Sequence, residues 1–130
     1  MSFKGFVLIS AALGVGAIGT GYLISPQYML AFYSVTLDSI NEASIIRSVY
    51  GGLFLGFAVL FLAGALKQEY SRPALLALLA FMGGFAVGRV ISLLADGVPS
   101  PLVLGLFGLE VTFASAAAYL LARSVRVSEN

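Results

Sequence analysis

The 130-residue sequence predicts an all-α integral membrane protein. Residues 1–130 form a single transmembrane domain, a four-helix antiparallel bundle with a short interfacial helix or turn after the first span. Three observations predict it. Of the residues, 60% are apolar and 10% charged, with a mean hydropathy of +1.03, and no water-soluble domain of this size could cover that composition with polar surface. Four apolar runs each approach the roughly 20 residues that a helix needs to cross hydrocarbon. Segments of this kind satisfy their backbone groups in lipid only as helices, because a barrel would need alternating polarity and many more strands.

The first span runs from about residue 5 to 24 and ends at Ser25-Pro26, since proline cannot donate the backbone hydrogen bond of a continuing helix. Its apolar stretch exceeds a signal-peptide core and carries no evident small-x-small cleavage site, so the segment is expected to be retained. The connection Ser25-Pro26-Gln27-Tyr28-Met29-Leu30-Ala31-Phe32-Tyr33 reads as an amphipathic turn or short helix at the membrane interface. Its tyrosines suit either an aromatic belt or a lid over a pocket. The second span covers about 43–66, beginning near Asn41-Glu42. The third covers about 73–95, with Pro73 at its first turn, and Asp96-Gly97-Val98-Pro99 breaks it. The fourth covers about 101–122.

Lys4, Lys67, Arg72, Arg123 and Arg126 all fall on one side of such a bundle, whereas the other two loops carry Asp38, Glu42 and Asp96. The positive-inside rule then puts both termini in the cytoplasm, in a multi-pass protein of the bacterial inner (cytoplasmic) membrane. Small residues recur four apart, including Gly52 and Gly56 on the second span and Gly84 and Gly88 on the third. Such rows let helices pack closely in lipid. Gly108, Thr112 and Ala116 repeat the pattern on the fourth.

Cysteine and histidine are both absent, which removes disulfides, thiol chemistry and imidazole ligation of zinc or haem. No metal site and no cofactor are predicted. A net charge of +1 offers no field to hold nucleic acid. Charge inside a span is costly, by roughly 2.5–3.5 kcal/mol per residue on insertion scales, so Arg47, Arg89, Asp96 and Glu110 should face the bundle interior. At about 1.5 Å per residue, all four fall in the outer half of the membrane. An Arg89–Glu110 pair is feasible, with Arg47 reaching toward the same carboxylate. Helical spacing aligns Arg47, Tyr50 and Phe54, then Phe85, Arg89, Ser92 and Asp96, then Phe107, Glu110 and Phe113 or Ala114. A pocket walled by phenyl rings results. Arg47, Tyr50, Arg89, Ser92, Asp96 and Glu110 are its candidate ligand-binding residues.

The runs Arg47-Ser-Val-Tyr50-Gly51-Gly52-Leu-Phe-Leu-Gly56 and Gly88-Arg89-Val-Ile-Ser92-Leu-Leu-Ala-Asp96-Gly97-Val-Pro99-Ser100, with the membrane Glu110, resemble a bacterial family known as domain of unknown function 4345. The resemblance covers nearly the whole chain. It implies a four-span membrane protein and carries no activity or substrate with it.

Four functional readings follow. The first is binding of a lipid-like or amphipathic molecule, the arginines meeting an anionic or carbonyl head group. In the second, a membrane enzyme performs acid-base chemistry on a lipophilic substrate, with Glu110 as acid or base and Asp96 and Tyr50 assisting. The third is transport, which two arginines beside the acid disfavour. The fourth is a structural role, with the charges setting helix register and the small-residue rows meeting a second copy or the subunits of a membrane complex. The lipid bilayer is a partner under every one of them.

Overall fold

A computed structural model of the chain describes residues 2–128, with side chains through Ser124. Arg126, one of the cations that set the expected orientation, lies outside the described side chains. The described residues are helical with no strand. Helix α1 is Phe3–Ile24, α2 is Pro26–Ala31, α3 is Ile40–Leu66, α4 is Gln68–Ala95 and α5 is Pro101–Ser128. Helices α1, α3, α4 and α5 are each long and apolar enough to cross a membrane. The short α2 occupies the first connection, with Pro26 at its first position, where a missing N–H costs nothing.

Local chemistry sets the helix ends. Ser2 caps α1 by accepting from the Gly5 N–H. Ser39 caps α3 by accepting from the Glu42 N–H, while Glu42 Oε2 accepts from the Asp38 N–H at 2.7 Å, a close relative of the capping box. Helix α3 therefore starts three residues earlier than the apolar run alone suggested. Helix α4 also starts early, at Gln68, leaving only the extended Lys67 between it and α3. Pro73 is thus inside α4 rather than at its first turn. The tight turn is held by the buried Ser71 hydroxyl, which donates to the Gly64 carbonyl at 2.7 Å. At the far end of α4, Gly97 adopts φ +97°, the left-handed conformation that glycine takes at no steric cost just past a helix.

The bundle is not uniformly packed. Around the α3–α4 turn, Leu8, Phe61, Ala74, Leu78 and Ala117 are fully or nearly fully buried, so all four spans meet there. Gly64 is central to this, since a Cβ on it would collide with Ala74 and approach the Tyr70 carbonyl at 3.0 Å. Lys4 Nζ donates to Gln68 Oε1 across the same end. Lys67, Arg72 and Arg123 share that end through the up-and-down order of the helices. Toward the opposite end, where residues 25–39 and 96–100 form the connections, α1 and α3 stay in contact while space opens between that pair and the α4–α5 pair.

Close contact also differs from the expected rows. A Cβ on Gly56, Gly84 or Gly88 would meet nothing within 4 Å, and one on Gly52 would meet only the Arg47 carbonyl at 3.9 Å. These glycines make no close helix crossing within the chain. The crossing runs instead through Gly19, where an added Cβ would come within 3.0 Å of the Gly51 carbonyl oxygen and of Phe54 Cβ, and through Gly51, where an added Cβ would collide with the Leu23 side chain. Four-residue spacing marks a smooth helix face, but it does not say which of several such faces another helix takes.

Candidate functional site

The end with the long connections holds a half-open cavity of about 740 Å³, lined by all four spans, by the first connection and by Pro99 of the last. Its floor is aromatic. Phe54 contacts Phe81 and Phe85 at ring-centroid distances of 5.2 and 5.9 Å, and Phe81 meets Phe85 edge-on at 4.8 Å. Tyr50 stands between Tyr22 and Phe54, with centroids 5.2 and 5.7 Å away. Tilted and edge-to-face pairs of this kind add modestly to plain area burial and hold the rings in place.

One wall carries the charge. Arg89 Nε donates to Glu110 Oε2 at 2.7 Å and Nη2 donates to Oε1 at 2.9 Å, a two-pronged ion pair between α4 and α5. Glu110 is buried, with 8% of its surface exposed, whereas the Arg89 side chain keeps 26%. A flat guanidinium matched to a carboxylate is the strongest form such a pair takes. In a low-dielectric setting it also solves the problem of carrying a glutamate in a span. The pair predicted from sequence is formed.

Arg47 does not join it. Its Nε donates to the Leu23 carbonyl at 3.1 Å, so it closes off a free carbonyl at the end of α1. The reason lies in the backbone, because residues Arg47–Gly52 form a π-helical turn, with the Leu53 N–H bonded to the Ser48 carbonyl. The turn takes in one extra residue, which rotates the start of α3 by about 100° relative to an unbroken helix. Arg47 is thereby carried toward α1, and the alignment of Arg47 with Tyr50 and Phe54 does not survive.

Of the other candidates, Tyr50, Arg89, Ser92 and Glu110 line the cavity, as do Gly84 and Gly88. Arg47 and Asp96 are not in its wall. Asp96 accepts from the Ser92 hydroxyl at 2.8 Å near the exposed end of α4. Phe85 and Phe113 line it as expected, while Leu106 takes the place given to Phe107. Leu30, Tyr33 and Val35 of the first connection also line it, in keeping with the second of the two readings of that connection, a lid over a pocket, whereas the contribution of α1 was missed from sequence. The α1 residues Ser10, Gly14, Ile18 and Tyr22 are spaced four apart and form one stripe of the wall. That row was visible, but with no charged residue along it nothing distinguished it from a packing face.

A family model described as "Domain of unknown function (DUF4345)" matches residues 3–121. No curated protein and no solved structure matches the chain.

Proposed function

We propose, on the premise that the chain belongs to the family described as Domain of unknown function (DUF4345), that this membrane protein binds a lipid-like amphipathic molecule between its helices. The observation that carries the reading is the cavity of about 740 Å³, within the few hundred to 1,000 Å³ typical of small-molecule sites. Its make-up supports the same reading, with broad apolar and aromatic walls and a few polar groups converging at one level. Arg89, Tyr50 and Ser92 are the residues proposed to meet the head group, with Glu110 holding the guanidinium in place. Arg47 and Asp96, outside the wall, are assigned no contact with the molecule.

The membrane is proposed to be the bacterial cytoplasmic membrane, with both termini on the cytoplasmic side. Lys4, Lys67, Arg72 and Arg123 at one end of the bundle support that orientation. The cavity then belongs to the outer half of the bilayer.

Native mass spectrometry of the protein released in mild detergent tests the binding reading. A discrete additional mass is expected on the wild type and not on Gly84→Leu, because Gly84 lines the cavity and has open space at its Cβ. A wild-type protein with no added mass, or a mass unaffected by filling the cavity, overturns it.

A second reading is favoured by one observation. The Arg89–Glu110 pair links α4 to α5 with both prongs made, so it serves register between these helices whether or not a molecule binds. Acid-base catalysis by Glu110 is weakened by the same geometry, because both carboxylate oxygens are already engaged by the Arg89 guanidinium.

A further inference from the structure

We infer that the occupant of the cavity is a lipid with an uncharged, hydrogen-bond-accepting head group and a single apolar chain, and that the Arg89–Glu110 pair discriminates against anionic lipids. The inference rests on the cavity being a ligand site and adds the chemical class of its ligand.

The first argument is charge. Among the described residues that line the cavity, Arg89 and Glu110 are the only ones charged at neutral pH, and they sum to zero. An anionic head group would add an uncompensated negative charge in a low-dielectric wall. To take Arg89 for itself it would have to strip Glu110 of both bonds, leaving a buried carboxylate unpaired. The other membrane arginine cannot substitute, because Arg47 lies outside the wall and is engaged at the Leu23 carbonyl. A cationic head group fares no better, since Glu110 is buried behind the guanidinium.

The second argument is donor arithmetic. A guanidinium has five N–H donors, and Glu110 takes one from Nε and one from Nη2. The other three have no partner among the described residues. Tyr22, Tyr33 and Tyr50 bring hydroxyls to the same cavity, and these too have no hydrogen-bond partner among the described residues. The wall therefore offers mostly N–H and O–H donors. Carbonyl, ether or hydroxyl oxygens of a neutral head group match them.

The third argument is the polarity gradient. Tyr22, Tyr33, Tyr50, Arg89 and Ser92 lie toward the end with the long connections, whereas Ala11, Val15, Phe81 and Met82 line the deep part. The wall runs from Ser10 to Tyr22 along α1, about 18 Å at 1.5 Å per residue. A long trough that is apolar in its depth apart from Ser10, with the remaining donors at its mouth, suits a chain inserted tail first.

The test uses the full-length protein in nanodiscs doped with equal amounts of 1-oleoylglycerol and its 3-phosphate, which share chain and glycerol and differ in charge. Native mass spectrometry reads the ratio of the two lipids retained. Wild type is expected to retain the neutral lipid with about tenfold preference. Glu110→Gln, which frees the Arg89 charge, is expected to move the ratio toward the phosphate by about the same factor. Gly84→Leu is expected to abolish the preference. Equal retention, or preference for the phosphate by the wild type, overturns the inference and leaves the cavity a lipid site of another class. Retention of neither lipid overturns the binding reading itself, and a preference that persists in Gly84→Leu places the lipid outside the cavity. Should Glu110→Gln fail to insert, the wild-type ratio and its loss in Gly84→Leu still decide the matter.

Discussion

Arg89 on α4 and Glu110 on α5 are joined twice, Nε to Oε2 at 2.7 Å and Nη2 to Oε1 at 2.9 Å, with the carboxylate buried and the guanidinium at the edge of the cavity. Each side chain makes the other affordable in a membrane span. Truncating one member should therefore cost far more than replacing both.

In detergent, Arg89→Ala or Glu110→Ala alone is expected to lower unfolding stability by about 3–5 kcal/mol, because a charge is left unpaired in the bundle. The double replacement Arg89→Met with Glu110→Leu should recover most of that loss. Thermal or denaturant unfolding of the four proteins checks it, and additive losses would mean that the two residues act independently.

Arg47 should behave otherwise. With its hydrogen bond given to the Leu23 carbonyl, Arg47→Ala is expected to cost about 1 kcal/mol and to show no coupling with Glu110→Gln in a double-mutant cycle. A coupling energy above about 1 kcal/mol would restore a direct contact between the two.

The glycines divide into two groups that sequence spacing does not separate. Gly64→Ala forces a methyl into Ala74 and toward the Tyr70 carbonyl, and overpacking of this kind costs typically 1–3 kcal/mol. Gly56→Ala and Gly88→Ala meet open space and should be neutral or slightly stabilising, since alanine is the better helix former. The same unfolding measurements rank them.

Ser71 is buried and donates to the Gly64 carbonyl at 2.7 Å across the turn between α3 and α4. Ser71→Ala should cost about 1 kcal/mol, the range of one interhelical hydrogen bond in a membrane protein. A loss several times larger would point to rearrangement of the turn.

Orientation can be read directly, because the chain has no cysteine and single-cysteine variants report without background. Lys67→Cys is expected to be shielded from a membrane-impermeant maleimide in intact cells, and Gly97→Cys to be labelled. The reverse pattern would invert the topology proposed from the arginines and lysines.

Much of this protein was determined by its sequence alone. Four apolar runs and their breaks at Ser25-Pro26 and Asp96-Gly97 dictate the spans, because an unsatisfied backbone group in lipid leaves no alternative to a helix. The pairing of Arg89 with Glu110 was legible for the same kind of reason, since two opposite charges at similar depth in neighbouring spans have nowhere better to go. Tertiary structure decided the rest. Whether Gly64 or Gly56 carries a helix crossing depends on which face meets a neighbour, and composition is nearly the same on every face of these helices. The destination of Arg47 depends on a π-turn over Arg47–Gly52, a one-residue change of phase that no hydrophobic pattern records. The cavity itself is a matter of separation between the α1–α3 pair and the α4–α5 pair, which pack tightly around Phe61 and Leu78 and part beyond Phe54, and such a gap is a property of the spacing of the helices, not of any one of them.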